Sequence, residues 1–345
     1  EMVGYPQGAG GLLTSGGSMA NLIALVTARH EHLGEAFLDG VIYTSDQTHN
    51  SVLKAARFAG IPRGNVREIA TDDRFRLRPD ALEAAIQADL DQGLEPFFIN
   101  ANAGTTNTGA VDPLEAIADI AEAHGLWLHA DAAYGGFFVL TDEGREALNG
   151  MARADSITLD PHKGLFLPYG TGSLIVRDPL TLERAHAEEA DYLPDTAGVD
   201  LVDYGRISPE LSRDFRGLRV WLPLKLHGIA PFRAQLEEKL ELASRASQGL
   251  SGIEHVSILA EPQLSTLAFR LEPPGMEGEA LDALNHAWLD AINRDGRVML
   301  SGTRLEGRFA LRVSIVSFRT HQEQVDALLD AAKTTASELV AKHTS

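Results

Sequence analysis

The stretch DSITLDPHKGLFLPYG, residues 155–170, decides the fold. Ser156 to Leu159 is β-branched and apolar and is followed by Pro161, so it reads as a short strand. The chain then presents Asp160, His162 and Lys163 together and turns at Gly164. A lysine held on a tight turn between apolar walls loses hydration. That disfavours its ammonium form and makes it a nucleophilic amine. A solvated loop lysine is the plainer reading of Lys163 alone, and the rest of the chain reverses it.

Upstream, Val41–Ser45, Pro96–Asn102 and Leu126–His129 are further apolar runs of strand type. Helical patterns alternate with them, which predicts an α/β protein with strand ends gathered at one sheet edge. Gly10–Ser18 is Gly-rich and precedes a predicted helix over Met19–His30, capped by Ser18, with Met19, Leu22, Ile23 and Val26 on its apolar face. Close backbone approach at glycine and free N–H groups at a helix start make this a phosphate cradle, although a plain cap is the commoner use. It lacks the spacing of a P-loop or a dinucleotide fingerprint.

His49 falls where the Val41–Ser45 strand gives way to a helix ending near Phe58, and Asp131 falls just past Leu126–His129. A carboxylate there needs a partner, either a cap or salt bridge, or a cofactor cation. Asp191–Pro209 has no periodicity and reads as a lid loop carrying Tyr192 and Tyr204. Breaks near Pro223 and Gly228–Pro231 mark a domain boundary. Residues 1–228 form the large domain and 229–345 a smaller α+β domain, with strands at Leu264–Leu271 and Phe309–Val316 and helices at Leu281–Asn293 and Gln322–Leu339.

The chain has 345 residues, with 30 Lys plus Arg against 49 Asp plus Glu, a net charge of −19. Without clustered basic residues it is not a nucleic-acid binder. It has no cysteine for disulfides or thiolate metal sites, and no apolar run of membrane-spanning length. His30, His32 and His286 lack zinc-helix spacing, so no metal is expected. The chain opens at Glu1 inside a Gly-rich stretch, and a preceding N-terminal segment is expected.

Together these residues place a phosphate cradle, a flat ring, hydroxyls, a carboxylate and a lysine at one sheet edge. That set fits pyridoxal 5′-phosphate. The sequence also resembles the group II pyridoxal-phosphate-dependent decarboxylases of the aromatic-L-amino-acid decarboxylase type. The matching segments are TSGGSMAN (14–21), SDQTHNSVLKAA (45–56), NAGTTNTGAVDP (102–113), WLHADAAYGG (127–136), DPHKGL (160–165), SPELSRDFRGLRVW (208–221) and RFALRVSIVSFRT (308–320).

The resemblance implies the fold type I transferase fold: a large domain with a mostly parallel seven-stranded sheet flanked by helices, plus the smaller C-terminal domain. It implies decarboxylation of an L-amino acid, in a cytoplasmic homodimer. By resemblance, Lys163 carries the cofactor and Asp131 pairs with its ring nitrogen. His49 and Ala133 lie on the two ring faces, and Gly17 and Ser18 hold the phosphate. Thr106 contacts the cofactor, and Asp160 and His162 flank the pocket. Asp160 replaces the asparagine of the animal enzymes, and a carboxylate beside a phosphate is unfavourable unless protonated or turned away. Tyr204 matches the mobile-loop tyrosine that protonates the substrate carbon. Relatives that make aldehydes replace this tyrosine or the stacking histidine, and both are kept here. Another fold type I activity (aldehyde synthase, transaminase or lyase) and a non-catalytic binding protein are the alternatives.

Overall fold

The computed structural model describes residues 2–188 and 201–344. Tyr192, expected on the lid loop, lies outside the described residues. The chain divides into two compact units. One comprises Glu1–Ala103 and Val111–Ile229, the other Ala230–Ser345 with the short segment Gly104–Ala110.

The first unit runs β1 (Gly10–Thr14), α1 (Gly17–Leu33), β2 (Gly40–Ser45), α2 (Asn50–Phe58), β3 (Val66–Ile69), α3 (Pro79–Asp91), β4 (Glu95–Asn102), α4 (Leu114–His124), β5 (Trp127–Asp131), α5 (Asp142–Ala147), β6 (Ser156–Leu159), α6 (Pro161–Gly164), β7 (Gly172–Val176), α7 (Leu180–His186) and α8 (Gly217–His227). The sheet order is β1-β7-β6-β5-β4-β2-β3. Only β7 is antiparallel to its neighbours, so every other strand points the same way. Strands β2, β5 and β6 are buried throughout, as a parallel sheet covered on both faces requires. The C-terminal ends of β1, β2, β4, β5 and β6 therefore share one edge.

Helix α1 departs from expectation in two ways. It starts at Gly17, with Gly16 rather than Ser18 at the cap position, so Ser18 is an exposed residue of the first turn. Its buried stripe is Gly17, Ala20, Asn21, Ala24, Leu25 and Ala28, with Ile23 and Thr27 beside it. These are mostly small side chains, which let a helix axis lie close against its neighbours. Strand β1 is a further difference: the stretch read only as a glycine-rich cradle pairs with β7 from Gly10↔Val176 to Thr14↔Gly172. Pro223 does not break α8. The carbonyl it frees lies in a helix with no buried residue, where water can take the hydrogen bond.

The second unit contains α9 (Ala230–Ser251), β8 (Val256–Ala260), β9 (Thr266–Leu271), α10 (Gly278–Asp295), β10 (Ser301–Leu305), β11 (Arg308–Ser314) and α11 (Gln322–Thr344). Its four strands form an antiparallel sheet in the order β10-β11-β9-β8. Leu250, Phe269, Trp288, Leu311 and Ala332 share its core. The Trp288 ring meets Phe269 edge-on at 5.3 Å, an arrangement favoured by aromatic quadrupoles.

Candidate active site

The loop after β6 carries the lysine. Pro161 opens the single turn α6, and the Lys163 N–H donates to the Asp160 carbonyl at 2.8 Å. The Lys163 side chain is 41 % exposed, so the expectation of a lysine walled in by apolar groups is corrected. What holds it is charge: Nζ lies 2.9 Å from Oδ2 of Asp160, a carboxylate only 2 % exposed. The other oxygen of Asp160, Oδ1, is buried with no hydrogen-bond partner among the described residues. His162 donates Nδ1–H to the Thr171 carbonyl at 2.7 Å, since a carbonyl can only accept. That leaves Nε2, 3.6 Å from Asp160 Oδ2, as the other ring nitrogen facing the loop.

The turn between β1 and α1 packs against this loop with almost no space to spare. A methyl group on Gly17 would stand 3.1 Å from both Ala133 Cβ and Asp160 Oδ2. One on Gly172, where β7 begins, would stand 2.5 Å from Gly16 Cα and 2.8 Å from Asp160 Oδ1. Thr14 braces the turn: its hydroxyl donates to the Gly16 carbonyl at 3.0 Å and accepts the Gly16 N–H at 3.3 Å. As the first residues of α1, Gly17 and Ser18 have no intrahelical acceptor for their N–H groups. They lie at the positive end of the helix, where an anion is favoured.

At the end of β5, Asp131 is 7 % exposed. Its Oδ2 accepts from Asn21 Nδ2 at 2.9 Å and its Oδ1 from the Ala133 N–H at 3.2 Å. Among the described residues no cationic side chain forms an ion pair with it. A buried carboxylate held only by neutral donors is a site for a cation brought by a ligand. Asn21 Nδ2 also reaches Ser51 Oγ at 3.0 Å, and Ser51 Oγ lies 2.8 Å from His49 Nδ1. His49 caps α2, its Nδ1 accepting the Ser51 N–H at 3.3 Å. Part of His49 is open to solvent, yet desolvation of the ring pushes its pKa below the usual imidazole value, while the charge of Asp131 works against that shift.

Behind Asp131 lies a buried polar chain. His129 is 1 % exposed, and burial pushes its pKa down to about 4, with Asp131 opposing the shift. Its Nδ1 lies 2.7 Å from Ser156 Oγ, which also accepts Trp127 Nε1–H at 2.8 Å.

Gly17, His49, Asp131, Ala133, Asp160, His162 and Lys163 thus come together at the edge of one sheet, with Ser18 beside Gly17. Two expected residues stand differently. Thr106 is an exposed turn residue of Gly104–Ala110, the segment that groups with the second unit. Tyr204 has its ring under the Arg213 guanidinium, 5.2 Å from Cζ to ring centroid. It lines an apolar cavity of about 560 Å³ together with Gly10–Leu13 and Phe137. No contact of Tyr204 with Lys163, His49 or Asp131 occurs among the described residues. Asn21, Ser51, Thr158 and Gly172 were not foreseen. The signal for Asn21 was present, since it interrupts the small-residue stripe of α1 with an amide.

The site fits pyridoxal phosphate by its own chemistry: a cradle that a Cβ would fill, a buried carboxylate held, among the described residues, by neutral donors alone, and a reachable primary amine. The comparisons agree. Residues 1–272 match the model of the pyridoxal-dependent decarboxylase conserved domain. An aromatic-L-amino-acid decarboxylase of Bacillus atrophaeus is 37 % identical over 342 residues, covering 98 % of this chain and 71 % of its own length. A phenylacetaldehyde synthase of Arabidopsis thaliana is 34 % identical over 341 residues, covering 96 % and 70 %. The crystal structure of Oryza sativa TDC with PLP and tryptamine superposes with a TM-score of 0.93 at 29 % identity, covering 98 % of this chain and 74 % of that one. The chain belongs to the pyridoxal-dependent decarboxylase family. Its fold is that of the fold type I enzymes, and it is a carboxy-lyase that works with pyridoxal 5′-phosphate.

Proposed function

We propose that this enzyme decarboxylates an aromatic L-amino acid to the corresponding amine and CO2. The observation that carries the site reading is the buried Asp131 carboxylate, which has neutral donors and, among the described residues, no cationic partner. Gly17 and Ser18 would hold the cofactor phosphate, Asp131 its ring nitrogen and Lys163 Nζ its aldehyde carbon. His49 and Ala133 would cover the ring faces, with Asp160 and His162 completing the wall. When bound, the cofactor supplies an electron sink for the bond between Cα and the carboxylate.

The chain's own residues do the rest. Asp131 keeps a proton at the ring nitrogen, because a carboxylate fixed by Asn21 and the Ala133 amide can hold one there. Asp160 aims Nζ of Lys163 through their 2.9 Å contact. Tyr204 Oη would return a proton to Cα, which requires its ring to leave the Arg213 guanidinium. Retention of both His49 and Tyr204 favours the amine over the aldehyde as product.

The aromatic side chain rests on the relatives, which include the Bacillus atrophaeus aromatic-L-amino-acid decarboxylase and tyrosine and tryptophan decarboxylases of plants. A homodimer and a cytoplasmic setting belong to the same reading. The test is a panel of tyrosine, tryptophan, phenylalanine, glutamate and diaminobutyrate with amine and CO2 quantified. One or more of the aromatic substrates gives equal amounts of both. Aldehyde with peroxide, or amine from glutamate or diaminobutyrate alone, contradicts the proposal.

A further inference from the structure

We propose that Asn21 is a positioning residue. Its side-chain amide fixes Asp131 on one side and, through Ser51, the Nε2-protonated form of His49 on the other. The proposal rests on the reading of Asp131 and His49 as cofactor contacts.

Asn21 is 2 % exposed and every hydrogen-bonding position of its amide is used. Nδ2 reaches Asp131 Oδ2 at 2.9 Å and Ser51 Oγ at 3.0 Å. Oδ1 receives Thr158 Oγ1–H at 2.7 Å and faces His129 Nε2 at 3.1 Å. An ionised carboxylate only accepts, so the NH2 end must face Asp131. The oxygen then takes its second proton from His129 Nε2. His129 Nδ1 is left as an acceptor for the Ser156 hydroxyl, which in turn accepts from Trp127 Nε1–H, a group that can only donate. The chain of bonds has one consistent direction from Trp127 to Asp131.

The same logic runs toward the pocket. Ser51 Oγ accepts from Asn21 and, because His49 Nδ1 already accepts a backbone N–H, gives its own proton to that nitrogen, 2.8 Å away. The Ser51 N–H points to the same nitrogen at 3.3 Å. Two donors on Nδ1 leave the imidazole proton on Nε2. One amide thus sets both the carboxylate that meets the ring nitrogen and the tautomer of the imidazole at the ring face.

Two variants separate these arms. Asn21→Asp keeps the shape and one oxygen but replaces the donor with an acceptor facing Asp131 and Ser51. Ser51→Ala removes the shorter of the two contacts on His49 Nδ1, leaving only the backbone N–H at 3.3 Å, and leaves Asn21 to Asp131 intact. The readouts are the pyridoxal phosphate dissociation constant and imidazole 15N NMR of the full chain, with and without pyridoxal phosphate. His49 is assigned by loss of its signal in His49→Gln. In the wild type His49 is neutral and protonated at Nε2. Asn21→Asp weakens cofactor binding by about ten- to a hundredfold, the loss of one buried hydrogen bond to a charge, and alters the His49 signal. Ser51→Ala gives a mixture of tautomers with cofactor affinity largely kept.

A role in packing alone would lower the melting temperature of Asn21→Asp without moving the His49 tautomer. A wild-type His49 protonated at Nδ1, or an Asn21→Asp protein with unchanged affinity and spectrum, overturns the proposal. If Asn21→Asp does not fold, an unaltered tautomer in Ser51→Ala overturns it alone. The tautomer is read without cofactor, so failure of the site reading itself shows separately, as no cofactor adduct at Lys163.

Discussion

Gly172→Ala tests the cradle where the structure leaves no slack. The new methyl carbon would lie 2.5 Å from Gly16 Cα and 2.6 Å from Gly16 C, both backbone atoms. Carbon atoms rest about 3.5–4.0 Å apart, so the strand or the turn must yield by roughly an ångström. Overpacking of this kind costs about 1–3 kcal/mol of stability. Thr14 ties the turn to β1, and α1 follows it directly, so part of the shift passes to the amides of Gly17 and Ser18. Losing one charge-assisted bond to a phosphate weakens binding by about 1.5–3 kcal/mol, or roughly ten- to a hundredfold. Gly64→Ala is the control: its Cβ would meet nothing within 4 Å. Pyridoxal phosphate titration and urea unfolding read both effects. Gly172→Ala with the affinity and stability of Gly64→Ala would refute the close-packed cradle.

Three further outcomes are expected. His129 is held neutral with a pKa of about 4, against about 6.5 when unfolded, so the unfolded state takes up the proton first as pH falls. Its contribution is therefore intact above about pH 6.5 and is lost toward pH 4, by about 2 kcal/mol between about pH 7 and pH 5. Urea midpoints across that range measure the slope, which His129→Gln should flatten; His186, also pushed down to about 4 by burial, adds to it. Asp131→Asn should lower kcat by about a hundredfold or more while cofactor still loads, because the ring nitrogen loses its proton holder; unchanged kcat would remove Asp131 from the chemistry. Tyr204→Phe should divert product from amine toward aldehyde, ammonia and peroxide, with dissolved dioxygen as the oxidant, read by chromatography and a peroxide assay, and an unaltered amine yield in air would exclude Tyr204 as the proton donor.

Much of this was legible because the decisive strands are short, apolar and bounded. β4, β5 and β6 carry short apolar runs that give way to polar residues at Asn102, Asp131 and Asp160, so both the sheet and its functional edge could be read from spacing. β1 was not, because Gly10-Gly11 has the composition of a loop and is a strand only through its pairing with β7. β10 was missed for a related reason: its residues are mostly exposed and polar, leaving no alternation to detect. The lysine, carboxylate and histidine were identifiable as chemistry, but their supports were not. Asn21 reaches Asp131 across 110 residues of sequence. Gly172 meets Gly16 only because β7 lies beside β1. The ionic setting of Lys163 depends on a carboxylate three residues away whose burial local sequence does not reveal.

The central claim is that Lys163 carries the cofactor. Borohydride reduction of the pyridoxal phosphate-saturated protein, followed by peptide mapping, tests it most directly. The account predicts one reduced pyridoxyl group, on the peptide containing Lys163, absent from Lys163→Ala. An unmodified Lys163 in saturated protein, or an adduct on another lysine, contradicts it.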